Sequence, residues 1–146
     1  QLFDKLISPS GQIFLVLCGH YHGQAFIQEA NAEGNAVYTM LADYQDRGQV
    51  GIDAGQPLGG FMGGPVGLGD GWLRLLHFDM ESDPPRISVE TYSTYYQQKS
   101  SEMPEYVDRY RDHEQPNMTD EQFLEAEEFE VVLEDFRERF GMPGDE

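Results

Sequence analysis

The residues of this chain best suited to chemistry are the two histidines of Gly19-His20-Tyr21-His22-Gly23. Imidazole is the commonest metal ligand among side chains, and it titrates near neutral pH. The pair follows directly on the apolar run Ile13-Phe14-Leu15-Val16-Leu17-Cys18, so a buried strand is expected to run to its end and present both rings at once. In an extended chain, residues two apart point to the same side; on a helix they do not face each other. Extended geometry would therefore aim His20 and His22 into one cavity, while Gly19 and Gly23 let the backbone turn and let another group approach closely. The chemistry suggested is metal ligation, and the plainer alternative is two histidines in an ordinary surface turn. Two imidazoles do not complete a catalytic zinc site, which takes three protein ligands and keeps one position open. The chain has two further histidines: His77 reads as structural and His113, in a charged run, as solvated.

The elements that must position the pair are short and well punctuated. Residues 2–7 read as the last turn or two of a helix with Leu2, Phe3, Leu6 and Ile7 on one face, broken by Pro9 and Gly11. Residues 12–18 form a strand that is apolar on both faces, the pattern of a central strand in a sheet covered on both sides. Cys18 would then be a small buried hydrophobe. A second strand is expected over 24–28, a turn at Asn31-Ala32-Glu33-Gly34-Asn35, and a third strand at Val37–Ala42. Trp72–Phe78 and Arg86–Tyr92 read as two strands of an antiparallel hairpin, the latter with Ile87, Val89 and Thr91 on its buried face. Thr119-Asp120-Glu121-Gln122 matches a capping box, predicting an acidic helix to Phe140 with Phe129, Val132, Leu133, Phe136 and Phe140 as its stripe.

Between these elements lie two segments of different character. Residues 46–71 hold ten of the sixteen glycines, which predicts a long loop of the kind that covers binding sites. It is no phosphate cradle: it contains neither GxGxxG nor GxxxxGK[ST], and Lys5 and Lys99 both lie far from it. Residues 93–118 are polar and tyrosine-rich, and Tyr95, Tyr96, Tyr106 and Tyr110 either pack on the body or stay loose.

Composition narrows the function classes. Across 146 residues, 27 Asp and Glu stand against 9 Lys and Arg, a formal net charge of −18. Neutralising phosphates takes a basic surface, so the balance argues against nucleic acid and against anionic membranes. No stretch is long and apolar enough to span a bilayer. A single cysteine allows no internal disulfide.

Leu2–Ile7, then Ile13–Cys18, then Gly-His-Tyr-His-Gly resembles the last conserved block of calcineurin-like metallophosphoesterases, written GHxH. The resemblance continues through Leu41-Ala42-Asp43-Tyr44-Gln45, Gly69–Leu76 and Ile87–Ser93, in that order, and covers roughly residues 1–95. The family also uses DxH, GDxxD and GNH[DE] motifs. None is present: Gly69-Asp70 runs into Gly71-Trp72-Leu73, and Gly34-Asn35 is followed by Ala36.

The resemblance implies a mixed α/β (α+β) fold. Residues 1–95 would be the C-terminal part of a metallophosphoesterase β-sandwich flanked by helices, 96–118 a polar linker and 119–141 an acidic amphipathic helix. It implies a metal-dependent phosphoester hydrolase with two divalent ions (Mn, Fe, Zn or similar), His20 on one and His22 on the other. The remaining ligands would come from a missing N-terminal part of the same domain, so this chain alone would be inactive. Asp43, Tyr44, Gln45 and Asp70 receive no chemical role; Asp70 reads as a turn residue and Trp72 as core. A non-catalytic interaction module and a small autonomous metal-binding domain are the alternatives.

Overall fold

The computed structural model describes residues 2–45, 47, 69–103, 107, 110–112, 114 and 115–141. It is a mixed α+β structure with two sheets and a few short helices. The first sheet has the order β1 (Leu15–Cys18), β3 (Ala36–Asp43), β2 (Gly23–Ala30). β1 lies parallel to β3, with Leu15 opposite Tyr38 and Cys18 opposite Leu41. β2 is antiparallel to β3, from Gly23 opposite Asp43 to Ala30 opposite Ala36. The turn between β2 and β3 is the expected one: the Asn31 side-chain oxygen accepts from the backbone N–H groups of Glu33 and Asn35, at 3.0 and 2.9 Å.

The second sheet is built on the expected hairpin, β4 (Trp72–Asp79) against β5 (Arg86–Ser93), with Trp72 opposite Ser93 and Asp79 opposite Arg86. Ile87, Val89 and Thr91 are buried on one face of β5. The other edge of β5 is shared by β6 (Gln98–Lys99) and β7 (Phe129–Val132). Asp70, at φ 38°, is the expected turn residue before β4, and Trp72 is buried.

The two sheets meet over a core of Tyr38, Met40, Ile87, Val89, Val131 and Leu133. A second cluster, Tyr44, Trp72, Met103, Val107, Tyr110 and Phe123, packs beside it. The described part of 96–118 is thus docked rather than loose: Met103, Val107 and Tyr110 are buried, while Tyr95 remains exposed.

Three expectations are corrected. Among the described residues β1 is an edge strand, not a central one, because the longer β3 takes the middle place with a partner on each side. Leu17 is therefore 61% exposed, and Cys18 is exposed rather than buried, its Sγ 3.5 Å from the Met40 carbonyl. The N-terminal segment is a π-helical turn, Phe3–Ile7, that buries Ile7 and leaves Leu2 and Leu6 exposed.

The third correction concerns the acidic C-terminal helix, which is not continuous. α1 spans Asp120–Glu127, the chain extends as β7, and α2 spans Phe136–Phe140. Phe129-Glu130-Val131-Val132 is rich in β-formers, and β5 offers an open edge that it pairs, Val89 opposite Phe129 and Arg86 opposite Val132. Pairing buries Val131 in the main core, which a helix lying on the surface would not do. The capping box is as expected: Thr119 Oγ1 accepts from the Gln122 N–H at 3.2 Å, and Gln122 Oε1 accepts from the Thr119 N–H at 2.9 Å. The glycine-rich segment lies almost wholly outside the described residues, as does His113.

Candidate functional site

β1 ends at Cys18 and β2 begins at Gly23, so His20 and His22 sit on the four-residue connection between them. Their convergence does not come from an extended strand. His20 has a positive φ of 80° and Gly23 one of 104°, so the chain turns sharply at both places. Gly23 suits its conformation because it lacks a Cβ; His20 does not have that freedom. What holds it is Asp43, the last residue of β3, whose Oδ2 accepts from the His20 backbone N–H at 3.0 Å. The other oxygen, Oδ1, accepts from the Gln45 N–H at 3.3 Å. One carboxylate therefore ties the histidine turn to the end of the neighbouring strand.

The result is one open cavity of about 470 Å³ lined by His20, Tyr21, His22, Asp43 and Gln45. The His20 and Tyr21 rings meet edge to face at 5.9 Å. The Gln45 amide nitrogen makes a short contact with His22 Nε2.

Two residues beyond Gln45 the chain enters a buried ionic cluster. The Arg47 guanidinium is 1% exposed and donates four hydrogen bonds: Nε and Nη2 to Glu114 at 2.9 and 2.7 Å, Nη1 and Nη2 to Glu127 at 2.8 Å each. It lies 4.2 Å above the Tyr44 ring and 5.3 Å from those of Tyr110 and Phe123. Burial opposes its charge, but the Glu127 and Glu114 carboxylates more than offset this and hold the guanidinium proton more tightly than usual. Burial, with the Glu127 charge, pushes the Tyr44 hydroxyl up to about 12; that hydroxyl is 3.2 Å from Thr91 Oγ1.

The structure thus brings His20 and His22 together on one cavity. His77 is apart from them, exposed on β4 with Nε2 3.9 Å from Glu90. Asp43 and Gln45 join the site although sequence reasoning gave them no role. The one hint was their place in the block Leu41–Gln45, directly after an apolar strand. Nothing in the sequence pointed to Arg47 meeting Glu114 and Glu127, 67 and 80 residues away.

The donors fit part of a metal centre. Two imidazoles face an open cavity, but both Asp43 oxygens are engaged by backbone N–H groups. Among the described residues no three His, Cys, Asp or Glu side chains converge as a metal cage. No helix among the described residues is long and apolar enough to cross a membrane.

Over 106 residues, 68% of this chain, the sequence is 34% identical to the uncharacterized protein YvnB of Bacillus subtilis strain 168. The chain spans about 7% of that relative's length. No family model matches the chain, and no solved structure matches it.

Proposed function

We propose that this chain is the C-terminal part of a calcineurin-like metallophosphoesterase domain in which His20 and His22 donate to two divalent metal ions. The observation that carries the reading is the opening of both imidazoles into a single cavity, on a turn held by Asp43. When bound, paired metals supply Lewis-acid stabilisation of a phosphoryl group and lower the pKa of a bound water. This chain's own part is narrower. A neutral imidazole binds a cation without cancelling its charge, Asp43 fixes the turn that carries His20, and Gln45 contacts the His22 ring at Nε2.

The remaining donors come, in this proposal, from another part of the same domain. Two features of the sheets support that. Among the described residues β1 and β4 each have an unpaired edge, and apolar Leu17, Leu75 and Phe78 stand exposed along them. Open strand edges with apolar side chains are places where further strands add. The substrate class in this reading is a phosphoester, monoester or diester. The acidic surface keeps nucleic acid outside the proposal.

The test looks for DxH and GDxxD motifs in the coding sequence upstream of Gln1 and, where they are found, assays the purified 146-residue chain beside the longer protein that includes them. The chain alone turns over no aryl phosphate or phosphodiester with Mn²⁺ or Zn²⁺, and in the longer protein His22→Ala lowers metal content and activity together. Robust turnover by the chain alone, or full metal occupancy and activity in His22→Ala, overturns the proposal.

A further inference from the structure

We infer that the outer edge of β2 is a docking site for an extended segment of another protein, one in which basic and apolar residues alternate. The segment adds to the first sheet as a further strand.

β2 pairs β3 along its whole length without a break in register, Gly23 opposite Asp43 through Ala30 opposite Ala36. Two hydrogen bonds fix which backbone groups of β2 face outward. The Tyr38 N–H donates to the Phe14 carbonyl at 2.8 Å, so Tyr38 turns its backbone groups toward the β1 side. That direction alternates along a strand, so Val37, Thr39 and Leu41 face β2, and their partners Glu29, Ile27 and Ala25 face β3. Gln24, Phe26 and Gln28 therefore point their N–H and C=O groups away from the sheet. The Gln24 carbonyl agrees, because it accepts from the Gln115 side-chain amide at 3.3 Å. Beyond Gln24, every residue from Phe26 to Ala30 is exposed, and among the described residues no strand pairs with this edge. Edges that must stay single are blunted by lysine, proline or a bulge. Gly23–Ala30 contains neither residue type, and its ladder has no bulge.

The surroundings of the edge choose the partner. Gln24, Phe26 and Gln28 share one face of β2, and Phe26 is a common wall of two cavities on it. One, of about 580 Å³, lies between β2 and α1 and is lined by Met118, Ala126, Phe129 and Glu125. The other, of about 400 Å³, lies toward the end of β7 and is lined by Glu130, Glu134 and Asp135. Glu130 is paired with Arg86 and Asp135 with Arg139. Among the described residues Glu29, Glu125 and Glu134 have no ion-pair partner, and no lysine or arginine lines either cavity. Long basic side chains on this face lay their stems on Phe26 and Phe129 and carry their charge to the carboxylates. On the other face Ile27, 52% exposed, takes the apolar residues in between. A second copy of this chain would instead bring another formal charge of −18 to the same edge. Main-chain hydrogen bonds supply affinity in such an addition, and the alternate side chains supply selectivity.

The probe is a synthetic capped peptide of alternating valine and lysine, used with the full 146-residue chain. Two further copies are N-methylated, one on the valine amides and one on the lysine amides, so charge and side chains stay the same. Binding is measured by calorimetry, and amide exchange by NMR. In the free chain the outward Phe26 and Gln28 amides exchange fast, while the Ile27 and Glu29 amides, held by β3, exchange slowly. Saturation with the unmodified peptide slows Phe26 and Gln28 by at least about tenfold. Only one row of peptide amides faces β2, so one methylated copy binds like the unmodified peptide and the other at least about tenfold more weakly. Gln28→Pro removes one outward N–H and leaves the ladder to β3 intact, which an edge strand tolerates; it weakens binding similarly. Changing Glu125 and Glu134 together to lysine lowers the affinity and flattens its dependence on salt. Equal binding of the two methylated copies, or no binding of the unmodified peptide, overturns the proposal. Slow exchange of Phe26 and Gln28 in the free chain, whether from another part of the chain or from a second copy on this edge, overturns it as well.

Discussion

Replacing His20 by glycine should make this protein more stable than replacing it by alanine, while both changes remove the same imidazole. His20 is held at φ 80°, where the Cβ of an L-residue is crowded by the neighbouring carbonyl at a cost of about 1–2 kcal/mol. Alanine keeps that Cβ and its cost. Glycine removes it, but gives the unfolded chain more freedom, which returns about 0.4–1 kcal/mol. The brace from Asp43 is to the backbone N–H of His20 and survives in both variants. The ring is exposed at a cavity rim, so its loss adds little and equally to each. The glycine variant is therefore expected to exceed the alanine variant by about 0.5–1 kcal/mol, a difference left by those two terms. In equilibrium urea unfolding, with a slope of about 2 kcal/mol/M, that moves the midpoint upward by roughly 0.3–0.5 M without changing the slope. Calorimetry with Zn²⁺ should show the two variants equally impaired. A glycine variant no more stable than the alanine variant would refute the claim that a ligand-bearing residue is kept here against a backbone cost.

Two further outcomes test other parts of the structure. Thr119→Ala removes one half of the reciprocal cap on α1 and should lower stability by about 1 kcal/mol in the same urea assay; an effect confined to a few tenths would mean α1 is held by packing alone. Tyr44 gives a pH dependence whose sign is fixed by its raised pKa of about 12 against an ordinary 10.0. The folded protein keeps the phenolic proton where the unfolded chain releases it, so the associated stability is complete below pH 10 and is lost as pH rises toward 12. The loss amounts to about 2–3 kcal/mol and should be absent in Tyr44→Phe, so parallel alkaline stability curves for the two proteins would contradict the burial argument.

Most of the strands were legible because each carries its own period and its own stops. Ile87, Val89 and Thr91 alternate with polar residues, and that alternation is what a sheet with one buried face demands. Asn31 and Gly34 mark the turn between β2 and β3 through local hydrogen bonds that need no tertiary partner. Thr119 and Gln122 cap each other for the same reason. Phe129–Val132 was misread because Phe, Val and Leu at three- and four-residue spacing satisfy a helix as well as a strand. The open edge of β5, remote in sequence, decided between them. β1 was misplaced for a related reason: its apolar run says that it can be buried on both faces, not which neighbours are there to bury it.

At the candidate site the division is similar. The types of the ligands and their spacing were evident from His20, His22 and the glycines around them, since these follow from side-chain chemistry and backbone freedom. That the two rings share a cavity came from a sharp turn rather than from strand geometry, and the turn depends on a carboxylate 23 residues away. Arg47 could not be linked to Glu114 and Glu127 by any local rule, because an ion pair is chosen by proximity in space among the chain's 27 acidic residues. The sequence by itself determined which segments become strands, where they stop and which side chains could bind a cation. Only the tertiary structure decided which strand edges stay open, what braces the histidine turn and which two of many carboxylates reach the buried guanidinium, because those outcomes depend on contacts between segments whose separation along the chain carries no record of their distance in the fold.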